Sequence, residues 1–257
     1  MGLFQGFYLS LQPNFLPALR FSHLAHLYRH DDIGGWLCQV IVGNSNANPF
    51  ASAEVVAGYE SWYQTIGRRA DHQEKAMLKW LLAWFPQACT ILEAGCGTGH
   101  FTRWFGTLGF HAIGIDLSQP MLDSASRLEG AHYVQGDALR MPFISKSVDL
   151  VAMITTLEFL SDPIMALHEA LRLARQGLIL GVLNADSRLG RAYQRTGGSV
   201  WEAAHLFSLA ELKHIILKII GDRARVVWRT TLWDFWPFAL PLPWGGFIGM
   251  AVRIQEK

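Results

Sequence analysis

Cysteine is scarce in this chain: Cys38, Cys89 and Cys96 are the only three in 257 residues, and no two form a C-x-x-C pair. An odd, unpatterned set gives no disulfide framework and no zinc knuckle. Reduced thiols fit a cytoplasmic protein. Charge is also sparse, at 17% of residues with a formal net charge of +1. Lysine and arginine form no extended run, so the electrostatic footprint of a nucleic-acid binder is missing. Long apolar runs are lacking as well. The stretch Trp36–Val42 is far short of the roughly 20 residues that span a bilayer. The first charge, Arg20, comes after Pro13 and Pro17, unlike the basic start of a secretory leader. What remains is a 51% hydrophobic chain, long enough for one large domain with attachments.

The most informative segment is Ile91-Leu-Glu-Ala-Gly-Cys-Gly-Thr-Gly99. Ile91 and Leu92 read as the end of a strand that stops at an acid, Glu93. Gly95, Gly97 and Gly99 then form a turn without Cβ atoms, and Phe101–Phe105 begins a helix. Glycine lets the backbone reach positive φ and lets a ligand approach it. The helix that follows points free N–H groups and its positive dipole end at that ligand, so a small anionic or zwitterionic molecule is expected here. A dinucleotide fingerprint would need glycine three residues after Gly97, and that place is His100. An NAD-dependent oxidoreductase is disfavoured accordingly.

The spacing E-x-G-x-G-x-G resembles motif I of the class I S-adenosylmethionine-dependent methyltransferases, and the resemblance continues downstream. His111–Asp116 reads as a second strand ending in an acid 19 residues beyond Gly97, where a carboxylate accepts bonds from ribose hydroxyls. Ser118 caps a helix with Met121, Leu122 and Ala125 on one face. A third strand, His132–Gln135, runs into Gly136-Asp137-Ala138. Leu139–Phe143 with Ser147–Asp149 resembles the "LPF…SFD" segment of the ubiquinone/menaquinone-biosynthesis (type 11) branch. Tyr59–Tyr63 with Gly67 resembles its "YDxWY…G" entrance helix, whose aromatics cover the cofactor; the same stripe reads equally as ordinary core.

The resemblance implies a Rossmann-like, doubly wound α/β fold with a seven-stranded sheet, mostly parallel with an antiparallel C-terminal hairpin strand. It implies S-adenosylmethionine as cofactor. Glu93 and the glycine loop (Ala94, Gly95, Cys96, Gly97, Gly99) would take the methionine part, Asp116 the ribose and Asp137 the adenine. Leu117, Met121, Gly136, Ala138 and Tyr63 would stand beside them. Plainer roles compete: Asp116 as a helix cap, Asp137 as a turn residue, Cys96 as a loop filler. Glu158, His205 and Tyr63 are candidate bases for the acceptor. No metal is expected.

The chain divides near residue 53. Residues 1–53 carry four charges, Arg20, Arg29, Asp31 and Asp32, and end in the linker-like Gly43–Pro49. His23, His26 and His30 fall at offsets of 3 and 4, but no carboxylate or thiol set converges with them, so an appended arm is expected rather than a metal site. Residues 54–257 form the methyltransferase-like unit: entrance helices at 54–86, a cofactor core at 87–184, and a lid, last helix and hairpin at 185–257. Within it, Met77–Phe85 is a helix and Leu150–Ile154 a strand buried on both faces. Asp162-Pro163 opens a helix with stripe Ile164, Leu167 and Leu171, and Leu178–Leu183 is a fifth strand. Residues 184–198 read as a mobile insertion or lid. Phe207-Ser-Leu-Ala-Glu211-Leu212 is a capping box with a staple. Strands near Val226–Thr231 and Phe247–Ile254 flank an apolar tip, Leu232–Trp244, whose aromatics suit a cap on its own core, a cover for the N-terminal arm, an apolar ligand groove, a protein interface or membrane contact. The function expected is methyl transfer to a small molecule by in-line attack. The rival is a regulatory or assembly protein that binds S-adenosylmethionine without turnover. The acceptor and the oligomeric state are not encoded in any motif.

Overall fold

The computed structural model describes residues 50, 52–196, 204–233 and 236–255. The arm with its three histidines and the Gly43–Pro49 linker lie outside the described residues. Among the described residues, seven strands run β1 (Thr90–Ala94), β2 (His111–Asp116), β3 (His132–Gln135), β4 (Val148–Ile154), β5 (Ala174–Leu183), β6 (Ala224–Thr231) and β7 (Phe247–Ile254). They make one sheet in the order β3-β2-β1-β4-β5-β7-β6. The first five are parallel, and β7 pairs antiparallel with both β5 and β6. The helices are α1 (Ala53–Gln64), α2 (Arg68–Leu82), α3 (His100–Thr107), α4 (Gln119–Ala125), α5 (Pro163–Leu173), α6 (Arg188–Thr196) and α7 (Leu209–Ile220). This is the expected Rossmann-like arrangement, with the strand order reversing between β1 and β4.

Side-chain alternation along the strands builds two cores, one per sheet face. In β4, every residue of which is buried, Val151 and Met153 join Leu92 and Leu180 under α5 and α7. Leu150, Ala152 and Ile154 point the other way, with Ile91 and Ile179, toward α2 and α3. A strand apolar on both faces belongs in the centre of a covered parallel sheet. At its amino end Asp149 braces the neighbours: its Oδ2 accepts from the Cys89 and Thr90 amides at 2.9 Å each, and its Oδ1 from Arg175 Nε at 3.0 Å. Burial opposes ionisation there, but these bonds hold the carboxyl well below its usual range.

Three expectations shift. The α2 helix ends at Leu82, so Trp84 and Phe85 follow it in a turn, and Phe85 packs into the core from there. The α5 stripe is Ala166, Leu167, Ala170 and Leu173, with Ile164 exposed; small alanines let the helix sit close on the sheet, and that contact selects the face. The expected lid contains α6 over residues 188–196, in which Leu189 and Tyr193 pack against the core. Residues 197 and 198, which complete that lid, lie outside the described residues.

The capping sites form as read. Ser118 accepts from the Met121 amide, Asp162 from Met165 and Ser208 from Glu211. Glu211 does not close a reciprocal box; its carboxylate binds His205 Nε2 at 2.7 Å instead. In the β6–β7 tip, Trp233 is buried and its indole N–H donates to Thr230 O at 3.2 Å. Trp236, Phe238, Leu242 and Trp244 are exposed.

Candidate functional site

The carboxyl ends of β1, β2 and β3 converge on the glycine loop. Gly95, Gly97 and Gly99 have φ of 76°, 52° and 76°, in the left-handed region open to glycine at little cost. Their surroundings differ. A Cβ at Gly95 would collide with Thr156, and one at Gly99 with Tyr133, whereas at Gly97 the nearest atoms are Tyr59 Cε1 at 3.8 Å and Met121 Sδ at 3.9 Å. The first and third glycines therefore permit packing, and the middle one leaves space.

Asp116 fixes the loop. Its Oδ2 accepts from the Gly97 amide at 2.7 Å and its Oδ1 from the Ser118 amide at 2.8 Å. Burial raises its pKa, partly offset by those amides. A second clamp was not legible in the sequence. Glu60 of α1 accepts from Thr98 Oγ1 at 2.6 Å and from Arg103 Nη2 at 2.9 Å, and Arg103 also donates to Thr98 O. His100, the residue that breaks the dinucleotide pattern, stacks on Tyr63 with ring centroids 3.6 Å apart. Its Nε2 lies 2.7 Å from Asp71 Oδ1 and 2.8 Å from Lys75 Nζ. The entrance helices α1 and α2 are thereby tied to the start of α3.

A cavity of about 320 Å³ opens over this loop, within the usual size of small-molecule sites. Its walls include Gly95, Gly97, Asp116, Leu117, Met121, Gly136, Asp137 and Ala138 from the sequence-derived set. They also include Phe50, Tyr59, Thr155, Thr156, Phe159 and Leu160. Thr155 and Thr156 sit where β4 ends, and Thr155 has a φ of 48°, a strained choice for a β-branched residue. Its amide donates to Gly181 O at 2.7 Å, which holds the bend. Ser118 Oγ donates to Phe50 O at 2.8 Å, bringing Phe50 onto the wall from a position that the sequence assigned to the arm.

Glu93, Ala94, Cys96, Gly99 and Tyr63 are not among the lining residues. Glu93 is buried behind the loop, where its Oε2 accepts from Thr102 Oγ1; burial raises its pKa to about 8 against that bond. Burial likewise pushes the Cys96 thiol well up, which leaves it packing against Gly114 rather than reacting. Of the candidate bases, His205 is largely exposed and paired with Glu211. Tyr63 is buried with its pKa raised by desolvation. Glu158 is 1% exposed, and its Oε1 accepts from the Leu183 amide at 2.7 Å. Among the described residues no group of three or more His, Cys, Asp or Glu is arranged to hold a metal.

Three buried carboxyls, Glu74, Glu93 and Glu158, have pKa values raised by burial to about 8, 8 and 7. Each binds its proton more tightly folded than unfolded, so its contribution to stability is complete below the unfolded carboxylate range. That contribution is lost as pH rises through the folded values. Between pH 6 and pH 8.5 the melting temperature is therefore expected to fall by several degrees. Scanning calorimetry across that interval checks the sign; a flat or rising profile counts against ionisable carboxyls in the core.

A glycine-loop cavity at the carboxyl ends of a sheet in this order is the architecture of the class I S-adenosylmethionine-dependent methyltransferases, and the chain carries a methyltransferase domain of that kind. The comparisons agree. Residues 92–181 match a family model described as a methyltransferase domain. The malonyl-[acyl-carrier protein] O-methyltransferase of Yersinia pestis is 35% identical over 130 residues, 49% of this chain and 47% of the relative. That of Salmonella typhimurium is 29% identical over 191 residues, 74% of this chain and 75% of the relative. A solved structure from Thermotoga maritima, a SAM-dependent methyltransferase described as a possible histamine N-methyltransferase, superposes with a TM-score of 0.66 at 26% identity. It covers 79% of this chain and 98% of its own. The chain spans about half the length of the first curated relatives it matches.

Proposed function

We propose that this chain transfers the methyl group of S-adenosylmethionine to a small-molecule acceptor. The cavity that joins the glycine loop, Asp116 and Gly136-Asp137-Ala138 is the observation that carries this reading. Asp116 spends one lone pair of each oxygen on a backbone amide, which leaves the others to accept from vicinal ribose hydroxyls. Asp137 Oδ1 takes the Leu139 amide at 2.9 Å, and the residue is left at the wall for the adenine amino group. Leu117 and Met121 supply apolar area for the base. The amide-rich turn at Gly95 and Gly97 suits the methionine tail. Glu93 supports that turn from behind through Thr102 rather than touching the tail.

The sulfonium methyl is already activated when the cofactor is bound. The task left to the protein is to hold the acceptor in line behind that methyl and to exclude water. The curated relatives named above act on malonyl-[acyl-carrier protein]; a small molecule is the acceptor proposed for this chain, in a cytoplasmic setting. The domain is taken to begin at or before Phe50, since that residue walls the cavity. No helix among the described residues is long and apolar enough to cross a membrane.

Titration calorimetry should show binding of S-adenosylhomocysteine and none of NAD. Transfer of labelled methyl to an acceptor in a metabolite pool separates turnover from the regulatory alternative. Binding without transfer to any pool would favour the latter.

A further inference from the structure

The tip between β6 and β7 is exposed, yet it is held firmly from inside by two buried side chains, Asn184 just past β5 and Thr230 of β6. Asn184 Nδ2 donates to Pro243 O at 2.7 Å and to Gly245 O at 2.8 Å. Thr230 exchanges backbone bonds with Leu240 at 2.9 Å in both directions. Its Oγ1 donates to Leu242 O at 2.6 Å and accepts from the Gly245 amide at 3.2 Å. Pro237, Pro241 and Pro243 have no N–H to satisfy. The backbone of residues 240–246 thus spends most of its polar groups inward. Its neighbours' and its own large side chains stay outside: Trp236 and Leu242 are exposed, and Phe238 and Trp244 are 65% and 61% exposed.

Water would satisfy such a backbone without these bonds. Lipid would not, because an unpaired backbone group in an apolar phase is costly. A tip with its polar backbone turned in and its rings turned out is built to enter an apolar phase. Tryptophan in particular favours the bilayer interface, where its ring is buried and its N–H stays wet.

A basic helix stands beside the tip. In α6, Arg188, Arg191 and Arg195 are exposed, and the helix contains no acid. Arg191 Nη1 donates to Asp186 O at 2.5 Å, a bond to a neutral carbonyl. Leu189 Cδ2 lies 2.9 Å from where a Cβ on Gly246 would stand, so the inner side of α6 rests on the base of the tip. Apolar rings next to guanidinium groups complement a bilayer with anionic headgroups: the rings enter the acyl boundary and the arginines meet phosphate. This surface lies at the sheet edge where the cavity opens, since Leu183 at the end of β5 pairs with Phe247 at the start of β7.

We propose that the β6–β7 tip and α6 together dock the chain on the surface of a bilayer containing anionic phospholipid. The docking is independent of the methyl-transfer reading, and would bring the carboxyl edge of the sheet to the lipid.

The test is sedimentation of the full chain with vesicles of phosphatidylcholine, and with vesicles in which about one-third of the lipid is phosphatidylglycerol. The affinity for the anionic vesicles should be about tenfold or more above that for the neutral ones, and the preference should shrink as salt is raised. Phe238→Ser combined with Trp244→Ser should weaken binding to both kinds of vesicle by about tenfold or more. Arg191→Gln combined with Arg195→Gln should remove the preference for anionic lipid and leave the neutral-vesicle affinity unchanged. All four side chains are exposed, so melting temperature and S-adenosylhomocysteine binding should stay at wild-type values, which separates a docking defect from a folding one. No binding to either vesicle, equal affinity for both, or binding that survives the tip substitutions overturns the proposal. Self-association that the tip substitutions abolish, in a chain that ignores vesicles, also overturns it and makes the tip a contact between copies of the chain.

Discussion

Replacing Asp116 with alanine should lower the affinity for S-adenosylhomocysteine by about 10- to 100-fold, or roughly 1–3 kcal/mol. The carboxylate does two jobs. It holds the Gly97 amide at 2.7 Å and the Ser118 amide at 2.8 Å, so its removal orphans two donors and loosens both the glycine loop and the first turn of α4. It also carries the lone pairs assigned to the ribose. The two contributions separate in Asp116→Asn: the amide oxygen retains one of the backbone bonds, so the loop should hold better than in the alanine variant while affinity still falls. Calorimetry gives the affinities, and the melting temperature without ligand reports the loop. Equal affinity of wild type and Asp116→Ala would remove Asp116 from the ligand's contacts.

The second large effect belongs to Gly97→Val. A φ of 52° is costly for any L-residue and more so for a β-branched one. Gly97 faces open space, with Tyr59 and Met121 at 3.8 and 3.9 Å from an added Cβ. The valine methyls would project into the cavity, and S-adenosylhomocysteine binding should be lost in a protein that still folds. The neighbouring glycines predict a different phenotype. Valine at Gly95 or Gly99 would collide with Thr156 or Tyr133, so those variants should lose stability first. Thermal shift by S-adenosylhomocysteine, measured on all three, distinguishes the cases. A retained shift in Gly97→Val would mean that the loop does not contact the ligand.

Both expectations start from residues that the sequence singled out, yet their mechanisms were visible only in three dimensions. The Gly-x-Gly-x-Gly spacing is local information, because a left-handed backbone at alternate positions leaves a mark in composition. The succession of short strands running toward Glu93, Asp116 and Asp137 is legible at βα-unit spacing, and the caps at Ser118, Asp162 and Ser208 rest on contacts within three residues. Such features persist through folding because the interactions that create them are short in sequence.

What tertiary structure decided involves partners far apart in the chain. Glu93 and Asp116 look alike as acids at strand ends, but one is buried behind the loop with Thr102 and the other meets the cavity. Which way each carboxyl faces depends on how α3 and α4 pack against the sheet, and no spacing rule carries that. Glu60 and Arg103 have no motif, and Phe50 lay in a segment set apart by its composition; their roles arise from helix docking over separations of 38, 43 and 68 residues. Sequence by itself determined the class of fold, the glycine loop and the acids near it. Packing between distant elements decided which of those acids reach the cavity and which is buried behind the loop, because the partners that turn each carboxyl lie on other elements.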